Sequence, residues 1–102
     1  MSGVSNPYKY AYETVAASQT AQALGGTGAT GDYIERLVVT ITTSGANGTV
    51  TLLDNSTSVL VIPASTPIGV YSVTLNMVSA SGPWKVTTGS AATAVGVGIF
   101  SA

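Results

Sequence analysis

Tyr33-Ile34-Glu35-Arg36-Leu37-Val38-Val39-Thr40-Ile41-Thr42 is the stretch on which the fold turns. Leu37, Val39 and Ile41 share one side, facing a core, while Arg36, Val38 and Thr40 share the other. That two-residue period in a run rich in β-branched side chains is the mark of a half-buried strand. Before it, Thr27-Gly28-Ala29-Thr30-Gly31 reads as a loop. After it, Ser44-Gly45-Ala46-Asn47-Gly48 turns the chain, and Asn47-Gly48 accepts the positive φ of a tight hairpin, with Thr49 to Asp54 as the expected return strand.

The same signals recur outward in both directions. Val70 to Met77 alternates cleanly, with Tyr71, Val73, Leu75 and Met77 on one side and Ser72, Thr74 and Asn76 on the other. Val59 to Ile62 is stopped by Pro63, which cannot donate to a ladder. Trp84 to Thr87 places Trp84 and Val86 on one face, with Trp84 expected in the core. In the last strand Val95, Val97 and Ile99 alternate with Gly96 and Gly98, whose bare face implies that a neighbouring backbone or large ring packs closely there. Towards the N-terminus, Tyr8 to Val15 reads as a strand, and Ala16 to Leu24, small and polar, as its continuation. No segment has a helical period. Seven to eight short strands at this spacing predict an all-β fold: a single small β-sandwich over residues 8–102, jelly-roll-like in its connections, with residues 1–7 as an N-terminal arm.

Composition narrows what such a sandwich does. Only seven of 102 residues are charged: Lys9, Glu13, Asp32, Glu35, Arg36, Asp54 and Lys85. An ordinary globular chain has about 25%. A net charge of −1 offers no cluster of Lys and Arg to neutralise phosphates, so neither nucleic acid nor an anionic membrane is an expected partner. Residues 1–7 have neither a basic nor an apolar run, so no secretory signal is expected, and no apolar stretch approaches the roughly 18 residues of a membrane span. With no Cys, neither disulfides nor thiolate metal sites staple the fold; stability falls to the core or to neighbouring subunits.

Catalysis finds little to work with. The chain has no His and no Cys, which removes Ser-His-Asp and Cys-His chemistry. Glycoside hydrolysis needs two flanking carboxylates, and only Glu13, Asp32, Glu35 and Asp54 exist. Glu35 beside Arg36 reads as an ordinary surface pair. Gly26-Thr27-Gly28-Ala29-Thr30-Gly31 matches the dinucleotide fingerprint in letters, but a polar stretch precedes it and a strand follows, where that motif needs a strand and then a helix. Asp54 with Asn55 falls short of the six to eight oxygens that calcium takes. Asn47-Gly48-Thr49 and Asn55-Ser56-Thr57 read as turn residues before glycosylation sites. A non-enzymatic protein with no cofactor and no metal is the expectation. Tyr8, Tyr10 and Tyr12, two residues apart, project from one side of their strand; core packing, a subunit or partner contact, and a stacking platform for sugars are all open to them.

From Gly31 onward the order of features resembles small virion structural proteins of tailed bacteriophages. The resemblance rests on Gly31-Asp32-Tyr33-Ile34-Glu35-Arg36-Leu37, Gly48-Thr49-Val50-Thr51-Leu52-Leu53-Asp54 and Gly82-Pro83-Trp84-Lys85-Val86-Thr87-Thr88-Gly89 ahead of the closing Val95 to Phe100 strand. It covers about seventy residues, as turn-and-strand patterns rather than chemical signatures. It implies a decoration or cement protein on the outer capsid surface, made in the bacterial cytoplasm, with the major capsid protein as partner and a closed ring, most simply a homotrimer, as assembly. Tyr8, Tyr10 and Tyr12 are the residues expected at that contact. The alternative is a carbohydrate- or host-surface-binding module on a tail or fibre.

Overall fold

The computed structural model describes residues 10–45 and 47–102. Eight strands form, β1 (Ala11–Val15), β2 (Gln22–Ala23), β3 (Tyr33–Ile41), β4 (Val50–Asp54), β5 (Thr57–Ile62), β6 (Gly69–Val78), β7 (Trp84–Thr88) and β8 (Ala92–Ile99). They make two four-stranded sheets, ordered β1-β8-β3-β6 and β2-β7-β4-β5, with every pairing antiparallel. The pairs β1 with β8, β2 with β7, β3 with β6 and β4 with β5 are nested, so the chain is one long hairpin rolled over itself. This is the double-sheet jelly roll. Among the described residues there is no helix, and hence none long and apolar enough to cross a membrane.

The tip of the rolled hairpin lies between β4 and β5, not between β3 and β4. Asp54 pairs with Thr57 across Asn55, whose φ of 59° is the left-handed conformation that Asn tolerates. The expected tight hairpin at Asn47-Gly48 does not occur: β3 and β4 lie in opposite sheets, and the segment between them crosses from one to the other. A turn dipeptide specifies a local bend but not the partner of the next strand, and here the core is closed by long-range pairing. Nor does Ala16 to Leu24 extend the first strand. The chain leaves β1, and the Thr88 hydroxyl donates to Ala16 O at 2.6 Å while accepting from Gln19 N at 3.0 Å. The Thr87 hydroxyl accepts from Ala21 N at 2.9 Å. Two threonines of β7 thereby steer a small polar stretch into the second sheet as β2.

Ile34 and Leu37 are three apart yet both fully buried, which a regular strand forbids. An irregularity in register between Ile34 and Arg36, seen against both β6 and β8, resets the alternation so that Ile34 joins Leu37, Val39 and Ile41 inside. From the other sheet come Val50, Leu52, Trp84 and Val86, with Leu24 following β2. Trp84 is buried as expected, and its indole donates to Asp32 O at 2.9 Å, satisfying the polar end of the largest core side chain.

On β8 the inward residues are Ala92, Ala94, Gly96 and Gly98. A Cβ on Gly96 would lie 2.7 Å from Leu24 Cδ1, and one on Gly98 would collide with Tyr33 O and lie 2.9 Å from Ile34 Cα. The close approach expected of these glycines is therefore made by a leucine from the opposite side and by the backbone of the adjacent strand. Gly98→Ala is expected to destabilise by about 3 kcal/mol and Gly96→Ala by about 1 kcal/mol, because a leucine side chain can yield where a backbone cannot. Urea unfolding of the two variants checks this; equal losses would contradict it.

Candidate interaction surface

The acidic groups are the first candidates for chemistry, and each is engaged within the protein. Asp32 Oδ2 accepts from Ala29 N at 3.0 Å and Ser101 N at 2.9 Å, and Oδ1 accepts from the Ser101 hydroxyl at 2.7 Å. Asp54 accepts from Ala80 N and Ser81 N, at 2.9 and 3.1 Å. Glu13 accepts from Gly25 N and Gln22 Nε2, both at 2.8 Å, tying β1 to the neighbourhood of β2. These three carboxylates hold connections between strands by charge-assisted bonds to backbone amides.

Glu35, partly buried, is the partner of the exposed Arg36, with Nε to Oε1 at 2.6 Å and Nη2 to Oε2 at 3.2 Å. That hydrogen bond and charge hold the Glu35 carboxyl below its ordinary range and raise Arg36. Because the folded pKa of Glu35 is depressed, the pair's contribution is present above the unfolded pKa and is lost as pH falls through the folded one. At the surface, solvent and salt screen it to a small value.

Glycine-loop chemistry is accounted for in the same way. Gly26 N and Gly28 N both donate to Ser101 O, each at 3.1 Å, and Gly31 N donates to Ser79 O at 3.0 Å. The loop seats the Ser101-Ala102 segment, and the amides of Gly26, Gly28 and Gly31 point at protein carbonyls rather than outward at a phosphate.

What the surface does present is apolar side chains at two places. Residues opposite each other across a ladder share a face. Tyr12, Val97, Arg36 and Thr74 form one row across the outer face of the β1-β8-β3-β6 sheet, and Ile99, Tyr33 and Val78 form the next. Tyr10 and Tyr12 are 50% and 73% exposed, so neither is core in the single chain; Tyr8, grouped with them by its spacing, lies outside the described residues. The Tyr10 and Tyr33 rings pack with centroids 5.9 Å apart, tilted by 37°, and Tyr33 Oη donates to Asn76 Oδ1 at 2.6 Å. Desolvation, then the neighbouring Tyr10, then the Glu35 charge raise the Tyr33 hydroxyl above its ordinary value.

The second place is the opposite side of the sandwich, where β5 and β6 are the outermost strands of their two sheets. Val59 and Val61 on β5, Ile68 in the connection, and Val70 and Val78 on β6 are all exposed, Ile68 and Val70 by about two thirds. Alternation correctly turns Tyr71, Val73, Leu75 and Met77 inward, but it gives no reason to expect valines at both ends of the outward row. A usable signal was present in charge: the thirty residues from Asn55 to Trp84 contain no Asp, Glu, Lys or Arg.

Compared with protein-family models, with curated proteins and with solved structures, the chain matches none of them.

The structural role of Asp32 has a direct test. Asp32→Ala is expected to lose about 3 kcal/mol, since it leaves two backbone amides and a hydroxyl without their acceptor. Asp32→Asn is expected to lose less than half as much, because one amide oxygen can still receive both backbone N–H groups and the NH2 can donate to Ser101 Oγ. Thermal or denaturant unfolding of the pair reads the difference.

Proposed function

We propose that this chain is a non-enzymatic structural subunit of a tailed-bacteriophage virion, a capsid decoration protein that binds the outer lattice of the major capsid protein and is made in the bacterial cytoplasm. The observation that carries the reading is the exposure of Tyr10 and Tyr12 on an edge strand of a sandwich that has almost no surface charge. Tyrosines supply large contact area with few rotatable bonds and are enriched at protein interfaces. A subunit nearly free of charge has little self-repulsion to oppose assembly. The resemblance in turn-and-strand order from Gly31 to Phe100 agrees with this role, and the engagement of Glu13, Asp32 and Asp54 in backbone ties supports a protein whose acids are structural.

On a capsid, a modest contact repeated on every capsomer is sufficient, because copies joined to one another bind with avidity that a single foot lacks. A glycan-binding module is the second reading, favoured by the accessible Tyr12 ring with the Arg36 guanidinium in the same row of the sheet.

Co-expression with the major capsid protein of the genome that encodes this chain, followed by gradient sedimentation, tests the proposal. Wild-type protein is expected to travel with capsids, and Tyr12→Ser to reduce occupancy about tenfold, a loss of about 1.4 kcal/mol, while its melting temperature stays within experimental error of wild type. Protein that stays at the top of the gradient yet is retained on immobilised glycans through Tyr12 would replace the capsid reading with the carbohydrate one.

A further inference from the structure

We propose that the open face of the β1-β8-β3-β6 sheet, the one turned away from the other sheet, is the footprint of a flat, uncharged, apolar face of the capsid subunit. The inference rests on the decoration reading above and names the surface and the chemistry of its contact.

β8 carries the argument, because its two faces are the reverse of those of a strand that borders water. Such a strand turns its large apolar side chains inward and its polar ones outward. β8 turns Ala92, Ala94, Gly96 and Gly98 inward, and Thr93, Val95, Val97 and Ile99 outward. It lies inside its sheet, between β1 and β3, so its outward row is the middle of the face and not a rim. The neighbouring strands continue the pattern. Val95 lies beside Val38, Val97 beside Tyr12, and Ile99 beside Tyr33, which Val78 follows on β6. Among the described residues, five of the eight exposed large apolar side chains (Tyr10, Tyr12, Val70, Val78 and Ile99) belong to this one face. The middle strands of the opposite sheet, β4 and β7, turn Thr51, Leu53, Lys85 and Thr87 outward, so that face is mostly polar at its centre.

Charge and area define the occupant. Arg36, the one charge paired across the described rows of the face, is bonded to Glu35 at 2.6 Å. An acid or base on the partner would find no free counter-charge and would be desolvated at a cost. A glycan would set hydroxyls without partners against Val38, Val95 and Val97, which is also costly. An apolar protein surface meets neither penalty. Strands about 4.8 Å apart and outward rows about 6.8 Å apart give a four-stranded face of about 500 Å2 in plan. Side-chain relief makes its accessible area larger than the plan, so a standard interface of about 800 Å2 per partner takes up this face and little else. A partner that reaches the middle strands across that width is flat, as a second sheet is when it packs about 10 Å from the first.

The test sediments the full chain with capsids assembled from the major capsid protein of the same genome. Val95→Lys at the centre of the face and Val78→Lys on its far strand are expected to lower capsid occupancy at least tenfold. Val61→Lys, on the outer face of the opposite sheet, is expected to change it less than twofold. All three should melt within experimental error of wild type. Should a lysine variant fail to fold, cysteine protection reads the same face, since the chain has no cysteine of its own. Thr74→Cys and Val61→Cys, both at exposed positions, would be alkylated with a maleimide on and off capsids. Binding is expected to slow the reaction at least tenfold at 74 and less than twofold at 61. The reverse pattern, with 61 protected and the Val95 and Val78 variants bound normally, would overturn the face and leave the virion reading standing. Wild-type protein that stays off capsids removes the virion reading and the named occupant together. Free protein that forms a dimer broken by Val95→Lys, or that is held on immobilised glycans and released by the same variant, would overturn the occupant by giving the face to a second copy or to carbohydrate.

Discussion

The strand β8 presents nothing larger than a methyl group to the interior, and the rest of the sandwich is arranged around that restriction. Between β1 and β3, where bulky side chains would ordinarily meet the opposite sheet, lie Ala92, Ala94, Gly96 and Gly98. The space is filled from elsewhere. Leu24 reaches over Gly96, and Phe100, just beyond the strand, turns back towards Gly98. Trp84 supplies the largest side chain of the core from β7. Large groups opposite small ones give the interdigitation that close packing demands. It also places Leu24 and Trp84 next to the loops that their polar neighbours tie down: Leu24 N donates to Trp84 O at 2.9 Å, and Trp84 Nε1 to Asp32 O at the same distance.

Polar groups then do in the connections what apolar groups do between the sheets. A jelly roll sends the chain from one sheet to the other repeatedly, and each crossing leaves backbone amides outside any ladder. Buried amides without partners are costly. Asp54 receives two backbone amides from the crossing between β6 and β7, Glu13 and Asp32 receive one each from the crossing between β2 and β3, Asp32 also holds Ser101 beyond β8, and Thr87 and Thr88 perform the same service between β1 and β2. Among the described residues no buried side-chain nitrogen or oxygen is left without a hydrogen bond. Three of the four carboxylates are thus committed to holding loops, which is one physical reason that so little charge remains for the surface.

The local part of this fold was legible in the sequence and the long-range part was not. Alternation in Tyr33 to Thr42 and in Val70 to Met77 fixes which side chains turn inward, because a strand's period is two whatever its neighbours. The irregularity that brings Ile34 inside with Leu37 escapes that rule, being set by pairing with β6 and β8 together. Asn47-Gly48 and Asn55-Ser56 are comparable turn signals, and only the nested pairing decides that the second one makes the hairpin. The candidate surface divides along the same line. Spacing places Tyr10 and Tyr12 on a common face, but whether that face is core or solvent depends on which side of the sheet turns to the other sheet, which follows from the pairing with β8, whose Gly96 and Gly98 face inward. Val59 and Val61, on the outer face of one sheet, and Val70 and Val78, on the outer face of the other, flank the same side of the sandwich only because β5 and β6 end their sheets there.

Exposed valines and tyrosines at both ends of one sheet need a reason beyond the stability of the single chain, for which they do little. Scattered apolar side chains on a surface are ordinary, but all of these except Ile99 lie at or beside the outermost strands, and the chain between Asn55 and Trp84 lacks the lysines and acids that usually keep an edge from pairing. An unguarded edge is a hazard for a protein that works alone, since any extended segment can add to it. For a subunit that works in an assembly, the same edge becomes the seam once its neighbour arrives, and guarding charges there would have to be desolvated at a cost. Near-neutrality, few charges at the edges and apolar rows beside them are therefore one property seen at three scales: a chain that spends its acids on its own connections has few left to guard its edges.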